Sequence, residues 1–194
     1  MLPVLAFFLL AAFTTKVDND PHLVASQEGL LNYDKSIFAL LHTQNPDKYK
    51  VSLLAEKSKY KLTVFYDKKP LKSYPVVLGQ NPVDDKLKEG DSCTPEGRFK
   101  IKAHYKHPHW SKFLWLNYPT VDSWKKYNLA KMNGKLKFTD SIGGQIGIHG
   151  VPDNDDTLIE KRINWTSGCI SLKTKDINEL YEIIKDGTIV EIFH

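Results

Sequence analysis

Two short blocks of this chain hold the groups able to do covalent chemistry. Ile146-Gly147-Ile148-His149-Gly150 puts a histidine at the end of an apolar, alternating stretch. Ser167-Gly168-Cys169-Ile170-Ser171-Leu172 puts a cysteine directly after a glycine, twenty residues downstream of that histidine. Thiol and imidazole together make a nucleophile: the imidazole lowers the thiol pKa, and the thiolate attacks a carbonyl carbon. Taken singly, a cysteine is more often a small buried hydrophobe and a histidine a satisfied structural residue. Here each is flanked by glycine, and Cys169 sits at a polar turn before a helix. Backbone N–H groups in such a turn can meet a developing oxyanion, and the glycine lets the chain come close to a substrate. The pair reads as a cysteine acyl-transfer site.

The elements that must position this pair are mostly strands. Val51, Leu53 and Ala55 alternate, as do Leu62, Val64 and Tyr66, and Asp67-Lys68-Lys69-Pro70 separates them from a run at Tyr74–Leu78. A period of two predicts β-strands joined by hairpins. Gly79, Gly90 and Thr94-Pro95-Glu96-Gly97 punctuate a loop leading to a strand at Arg98–Ala103, and Gln145–His149 and Thr188–Phe193 predict two more. Ser26–Leu41 reads as an amphipathic helix capped by Ser26. Lys173–Lys185 reads as the one clear late helix, capped by Thr174, with Ile177, Leu180, Tyr181 and Ile184 on one face and a stop at Asp186-Gly187. The fold class is mainly β with helices (α+β).

With 194 residues, 41% hydrophobic and 26% charged, the chain suits one domain plus an extension and can bury roughly two thirds of its unfolded surface without staples. The net charge of +4 is spread along the chain, and no basic block interleaved with aromatics suggests a nucleic-acid groove. Two cysteines, Cys93 and Cys169, read as two thiols, since a catalytic one must stay free. Val4–Phe13 is an apolar run of about ten residues, too short to span a bilayer and of signal-peptide length. Export to the periplasm or cell envelope follows, with membrane contact only if that segment stays uncleaved. The expected division is 1–15 signal or anchor, 16–48 linker and helical extension, and 49–194 catalytic domain.

Order and spacing separate the thiol enzymes. Papain-like proteases place the cysteine early and the histidine far downstream, and caspase-like enzymes carry Gln-Ala-Cys; neither pattern is present. Residues from about Tyr49 to Phe193 resemble the L,D-transpeptidase catalytic domain (the YkuD family). The resemblance rests on His149-Gly150, a gap near twenty, Thr166-Ser167-Gly168-Cys169-Ile170-Ser171-Leu172 and a following helix. Upstream it rests on Tyr74-Pro75-Val76-Val77-Leu78-Gly79 and Thr94-Pro95-Glu96-Gly97-Arg98-Phe99. It implies a β-sandwich catalytic fold acting on peptidoglycan stem peptides without metal or organic cofactor. It further implies Cys169 as nucleophile, His149 as base, the Gly150 carbonyl orienting the imidazole, and the N–H groups of Gly168 and Cys169 as oxyanion hole. Trp165, Thr166, Ser167 and Ser171 are the expected substrate contacts. Ser167 and Ser171 depart from the pattern, which often has histidine two before the cysteine and Arg or Asn two after.

Other clusters read more simply. His104, His107 and His109 lack an interleaved Cys or acidic ligand and form a polar loop near Trp110, Trp115 and Trp124, aromatics able to line a glycan groove. Asp153, Asp155 and Asp156 fail the calcium-loop pattern and read as a flexible loop beside the site. Asn164-Trp165-Thr166 matches a glycosylation acceptor by chance. The implied activity is transfer of an acyl group from one stem to an amine. The alternative is hydrolysis by the same site, an L,D-carboxypeptidase or an amidase acting on a wall-linked protein. A non-catalytic wall-binding module is the further alternative, disfavoured by the presence of both His149 and Cys169.

Overall fold

The computed structural model describes residues 29–194. The apolar run Val4–Phe13, the polar linker after it and Ser26 lie outside the described residues. Eight strands form one continuous array: β1 (Val51–Glu56), β2 (Lys61–Tyr66), β3 (Lys69–Pro75), β4 (Gly97–His107), β5 (Ser111–Leu116), β6 (Gly147–Gly150), β7 (Ile170–Leu172) and β8 (Ile189–Phe193). The order is β3-β2-β1-β8-β4-β5-β6-β7. The eleven-residue strand β4 joins the two halves: Gly97–Lys100 pair with β8, and Ile101–His107 pair with β5. Beyond β3 the chain bridges Val77 to Ser171 in β7, so the two edges of the array meet.

Alternation works as the sequence predicts. In β1 the buried residues are Val51, Leu53 and Ala55, and they pair with β2 through Leu53↔Val64 and Ala55↔Leu62. Asp67 and Lys68, both at positive φ, make the tight turn between β2 and β3. One core draws on both halves: Leu53, Val64, Tyr74, Phe99, Leu114, Ile148, Ile170 and Val190 are all at most 2% exposed. Each such side chain contributes roughly 1.5–3 kcal/mol.

Among the described residues four α-helices complete the fold: α1 (Ile37–Leu40), α2 (Val121–Met132), α3 (Thr157–Glu160) and α4 (Thr174–Ile183). Helix α4 lies on β5 and β6 through Ile177, Leu180 and Ile183 and so backs the histidine-bearing strand. Three expectations are corrected. The helix expected at Ser26–Leu41 is, among the described residues, only the four of α1, capped by the Ser36 hydroxyl; Gly29 and Asn32 at positive φ break the path before it. Thr174 does not cap α4: it is the first helical residue, and its N–H donates to Asp156 Oδ1 at 2.9 Å. The "one late helix" omits α2, whose apolar residues do not segregate to the buried side, and β5 and β7 also went unread.

Candidate active site

His149 sits on β6 with its ring buried to 1% exposure. Its Nδ1 donates to the carbonyl of Gly150 at 2.8 Å, which leaves Nε2 as the basic nitrogen. Aromatic faces hold the ring: Trp110 stacks at 4.4 Å between centroids, Phe113 lies nearly parallel at 5.7 Å, and Trp165 meets it edge-on at 5.4 Å. His107 stacks on the Trp110 ring in turn, at 4.2 Å. Strand pairing fixes this cage, since Phe113 faces His149 in the β5–β6 register. Gly150 is required where it is. A Cβ there would lie 2.6 Å from the Trp110 carbonyl oxygen, which accepts from the Gly150 N–H at 3.1 Å.

Cys169 ends a tight turn just before β7. Gly168 takes φ +137, and a Cβ on it would lie 2.6 Å from the Cys93 carbonyl. Thr166 Oγ1 knits the turn, donating to the Cys169 carbonyl at 2.7 Å and accepting from Gly168 N–H at 3.2 Å. The Gly168 N–H is therefore already engaged, which corrects its expected place in the oxyanion hole. The Gly147 N–H donates toward the Cys169 sulfur and favours its anion. The thiol itself donates to the Gln145 carbonyl at a long 3.7 Å.

The resting pair is neutral. Burial is the largest influence on both groups: it lowers the His149 pKa to about 4 against the opposing Gly150 hydrogen bond, and raises the Cys169 pKa to about 11. Cys169 is only partly exposed. At Cys169 burial outweighs the Gly147 N–H that favours the thiolate.

Two clefts meet at this sulfur. One, of about 290 Å³, is lined by Trp110, Gln145, His149, Trp165, Ser167 and Cys169 among others. The other, of about 340 Å³, is an aromatic trough of Tyr105, His107, Trp110, Phe113 and Trp115 ending at Gln145 and Cys169. A separate cavity of about 590 Å³, lined by Phe38, Asn45, Tyr49 and Lys185 among others, contains neither His149 nor Cys169.

The remaining expected residues divide. Ser167 is exposed at the cleft rim, and Trp165 walls the cleft with an indole N–H that has no partner. Thr166 lines the same cleft, but its hydroxyl is spent on the turn. Ser171 is 0% exposed within β7, paired backbone-to-backbone with Val77, and its hydroxyl is buried without a partner. It is no substrate contact. The loop read as flexible holds Asp156 bonded to Thr174 and, in α3, Glu160 paired with Lys173 at 2.5 Å. The polar loop of three histidines is the end of β4 and its turn, with His104 paired to Asp186 at 2.7 Å. Asn164 is structural, accepting from Leu78 N–H and donating to Tyr60. No group of His, Cys, Asp or Glu among the described residues is arranged to hold a metal. The sequence points to Trp110 only as a groove aromatic and to Gln145 only as a strand residue, and it misses Phe113, although alternation around Phe113 and Trp115 carries a strand signal.

A family profile for the L,D-transpeptidase catalytic domain (YkuD) matches residues 50–192. The chain belongs to the L,D-transpeptidase catalytic-domain family. Its fold is that of solved members and relatives. The helical cell shape determining protein Pgp2 of Campylobacter jejuni superposes with a TM-score of 0.54 at 24% identity, over 73% of this chain and 46% of that one. Bd1075 of Bdellovibrio bacteriovorus superposes with a TM-score of 0.51 at 22% identity, over 74% and 48%. An L,D-transpeptidase from Mycobacterium smegmatis gives 0.49 at 15% identity, over 75% and 59%. The matched region spans less than half the length of Pgp2 or Bd1075. No curated protein matches this sequence. No helix among the described residues is long and apolar enough to cross a membrane.

Proposed function

We propose that this protein is an exported peptidoglycan L,D-transpeptidase that works by cysteine acyl transfer, with 49–194 as its catalytic unit. The observation that carries the reading is that Cys169 lines both clefts while His149 lines only one. A cysteine shared by two clefts suits a donor stem in one and an acceptor amine in the other.

The neutral resting pair sets the order of events. As Sγ bonds to the carbonyl carbon next to the terminal D-amino acid, the thiol proton passes to His149 Nε2. Only then does the imidazole become a cation, and the Trp110 face and the Gly150 carbonyl stabilise it there. The Cys169 N–H is the donor we assign to the oxyanion. The C–N bond breaks, its nitrogen takes the proton from His149, and the D-amino acid leaves. An amine of a second stem attacks the thioester and gives its proton to His149, which returns it to the departing sulfur. Trp165 and Ser167 are placed to touch the stem at the cleft wall and rim.

Purified protein incubated with disaccharide-tetrapeptides, followed by mass spectrometry of the products, tests this. Dimers linked between third-position residues, absent with Cys169→Ala, are expected. Tripeptides alone, with added D-amino acid never exchanged into position four, would make the enzyme an L,D-carboxypeptidase. Unchanged substrate together with retained binding to sacculi would make it a wall-binding module.

A further inference from the structure

Helix α2 carries its exposed apolar side chains on the side that faces water, with Lys125 and Asn128 standing among them. Tyr127 and Ala130 are its buried residues, while Val121, Trp124, Leu129 and Met132 point outward over about 140° of its circumference at 3.6 residues per turn. Met132 is 81% exposed, and Phe138, just past the helix, is 94% exposed. Five of the eleven large hydrophobic residues exposed among the described residues fall between 121 and 138, so the patch is not random scatter. The same segment is basic. Between 121 and 140 five lysines stand against two aspartates. Lys126 turns inward to Asp85 and Lys125 pairs with Asp122, but Lys131 lies over the Phe138 ring, and Lys135 and Lys137, just before Phe138, are exposed.

We propose that this face, α2 continued by Phe138, docks on an anionic lipid bilayer. Exposed apolar side chains, a tryptophan among them, and neighbouring lysines, with Lys131 over the Tyr127 and Phe138 rings, form the pattern of a helix lying in a membrane interface. Charge decides among occupants. A second copy would set one basic face against another. An anionic wall polymer would answer the lysines but offer no hydrocarbon to Met132 and Phe138. A bilayer rich in anionic headgroups answers both. The inference is independent of the proposed chemistry at Cys169.

The full-length protein should be mixed with vesicles of phosphatidylcholine alone or of equal parts phosphatidylcholine and phosphatidylglycerol, carrying brominated acyl chains. Tryptophan emission should be quenched on the anionic vesicles only, and Trp124→Phe should remove most of that quenching. Met132→Glu with Phe138→Glu should weaken binding about tenfold, as should Lys135→Glu with Lys137→Glu, the latter more so at low salt. All these residues are at the surface, and circular dichroism reports whether each variant folds; Trp124→Phe keeps the test alive if a double variant does not. Absent binding, equal binding to both vesicles, or binding that leaves Trp124 unquenched and survives both double variants would overturn the proposal, the last by assigning the contact to another segment such as Val4–Phe13. Self-association without vesicles, abolished by Met132→Glu, would give the face to a second copy and overturn it equally.

Discussion

At the residue scale, the reactive pair is held uncharged, and its pH behaviour should say so. With His149 near 4 and Cys169 near 11, acyl transfer should run on a plateau from about pH 5 upward and fall only as His149 takes a proton toward pH 4. Rates of tetrapeptide consumption from pH 3.5 to 9 check this; an acid limb near pH 6.5 would mean the ring is not desolvated. Alkylation of resting Cys169 should rise about tenfold per pH unit toward 11 and change little in His149→Ala, while acyl transfer in that variant drops by roughly 10²–10⁴. Ser171→Ala removes a buried hydroxyl with no partner. It should leave activity intact and raise stability by up to about 1 kcal/mol, read as a higher Tm. The two residues proposed to react stand out in the sequence because glycines beside them announce tight geometry. Burial was not: nothing local to Ser171 says that β7 will be sealed by Val77, which lies more than ninety positions earlier.

At the element scale, the site depends on how closely β6 passes the β4–β5 turn. Gly150→Ala drives a methyl into the Trp110 carbonyl, so the turn must move and the Trp110 ring must leave the His149 face. The expected result is about a hundredfold loss in transfer rate with the fold retained, checked by kinetics beside near-ultraviolet circular dichroism. Strands with one buried face were readable from alternation, as β1 and β2 illustrate. Three-residue β7 is too short to carry a period, and its place is set by pairing with β6 on one side and Val77 on the other. Helix α2 hid for a different reason: its outward side is as apolar as its inward side, so no amphipathic stripe exists. Its Thr120 cap, accepting from Ser123 N–H, was the available signal.

Across the whole molecule, two buried groups tilt stability in opposite directions on acidification. His149 stays neutral in the folded protein while the unfolded chain gains a proton below 6.5, so stability is lost as pH falls from 6.5 toward 4. Asp176, raised to about 6 chiefly by burial, gains its proton earlier when folded than its unfolded value of 3.8 allows. Its contribution is complete below 3.8 and is lost as pH rises through 6. Each slope is about 1.4 kcal/mol per pH unit, so Tm should be nearly flat from pH 6 to 4. In Asp176→Asn, which keeps an acceptor for the Tyr33 hydroxyl, Tm should instead fall by roughly 3–5 °C per unit over that range. Such coupling is invisible in sequence, because Tyr33 and Asp176 lie far apart along the chain. The same region bears on where this protein can be cut. Glu179 on α4 accepts from Ile37 N–H at 2.7 Å, Lys72 at 2.7 Å and Tyr74 at 2.5 Å, while Lys72 also reaches the Lys35 carbonyl and Ser73 N–H donates to Leu31. The family match begins at residue 50, but the folding unit does not. A gene trimmed at that border would express a wounded protein: Ile37, wholly buried, would be gone, and the far side of the helix that backs His149 would open to water.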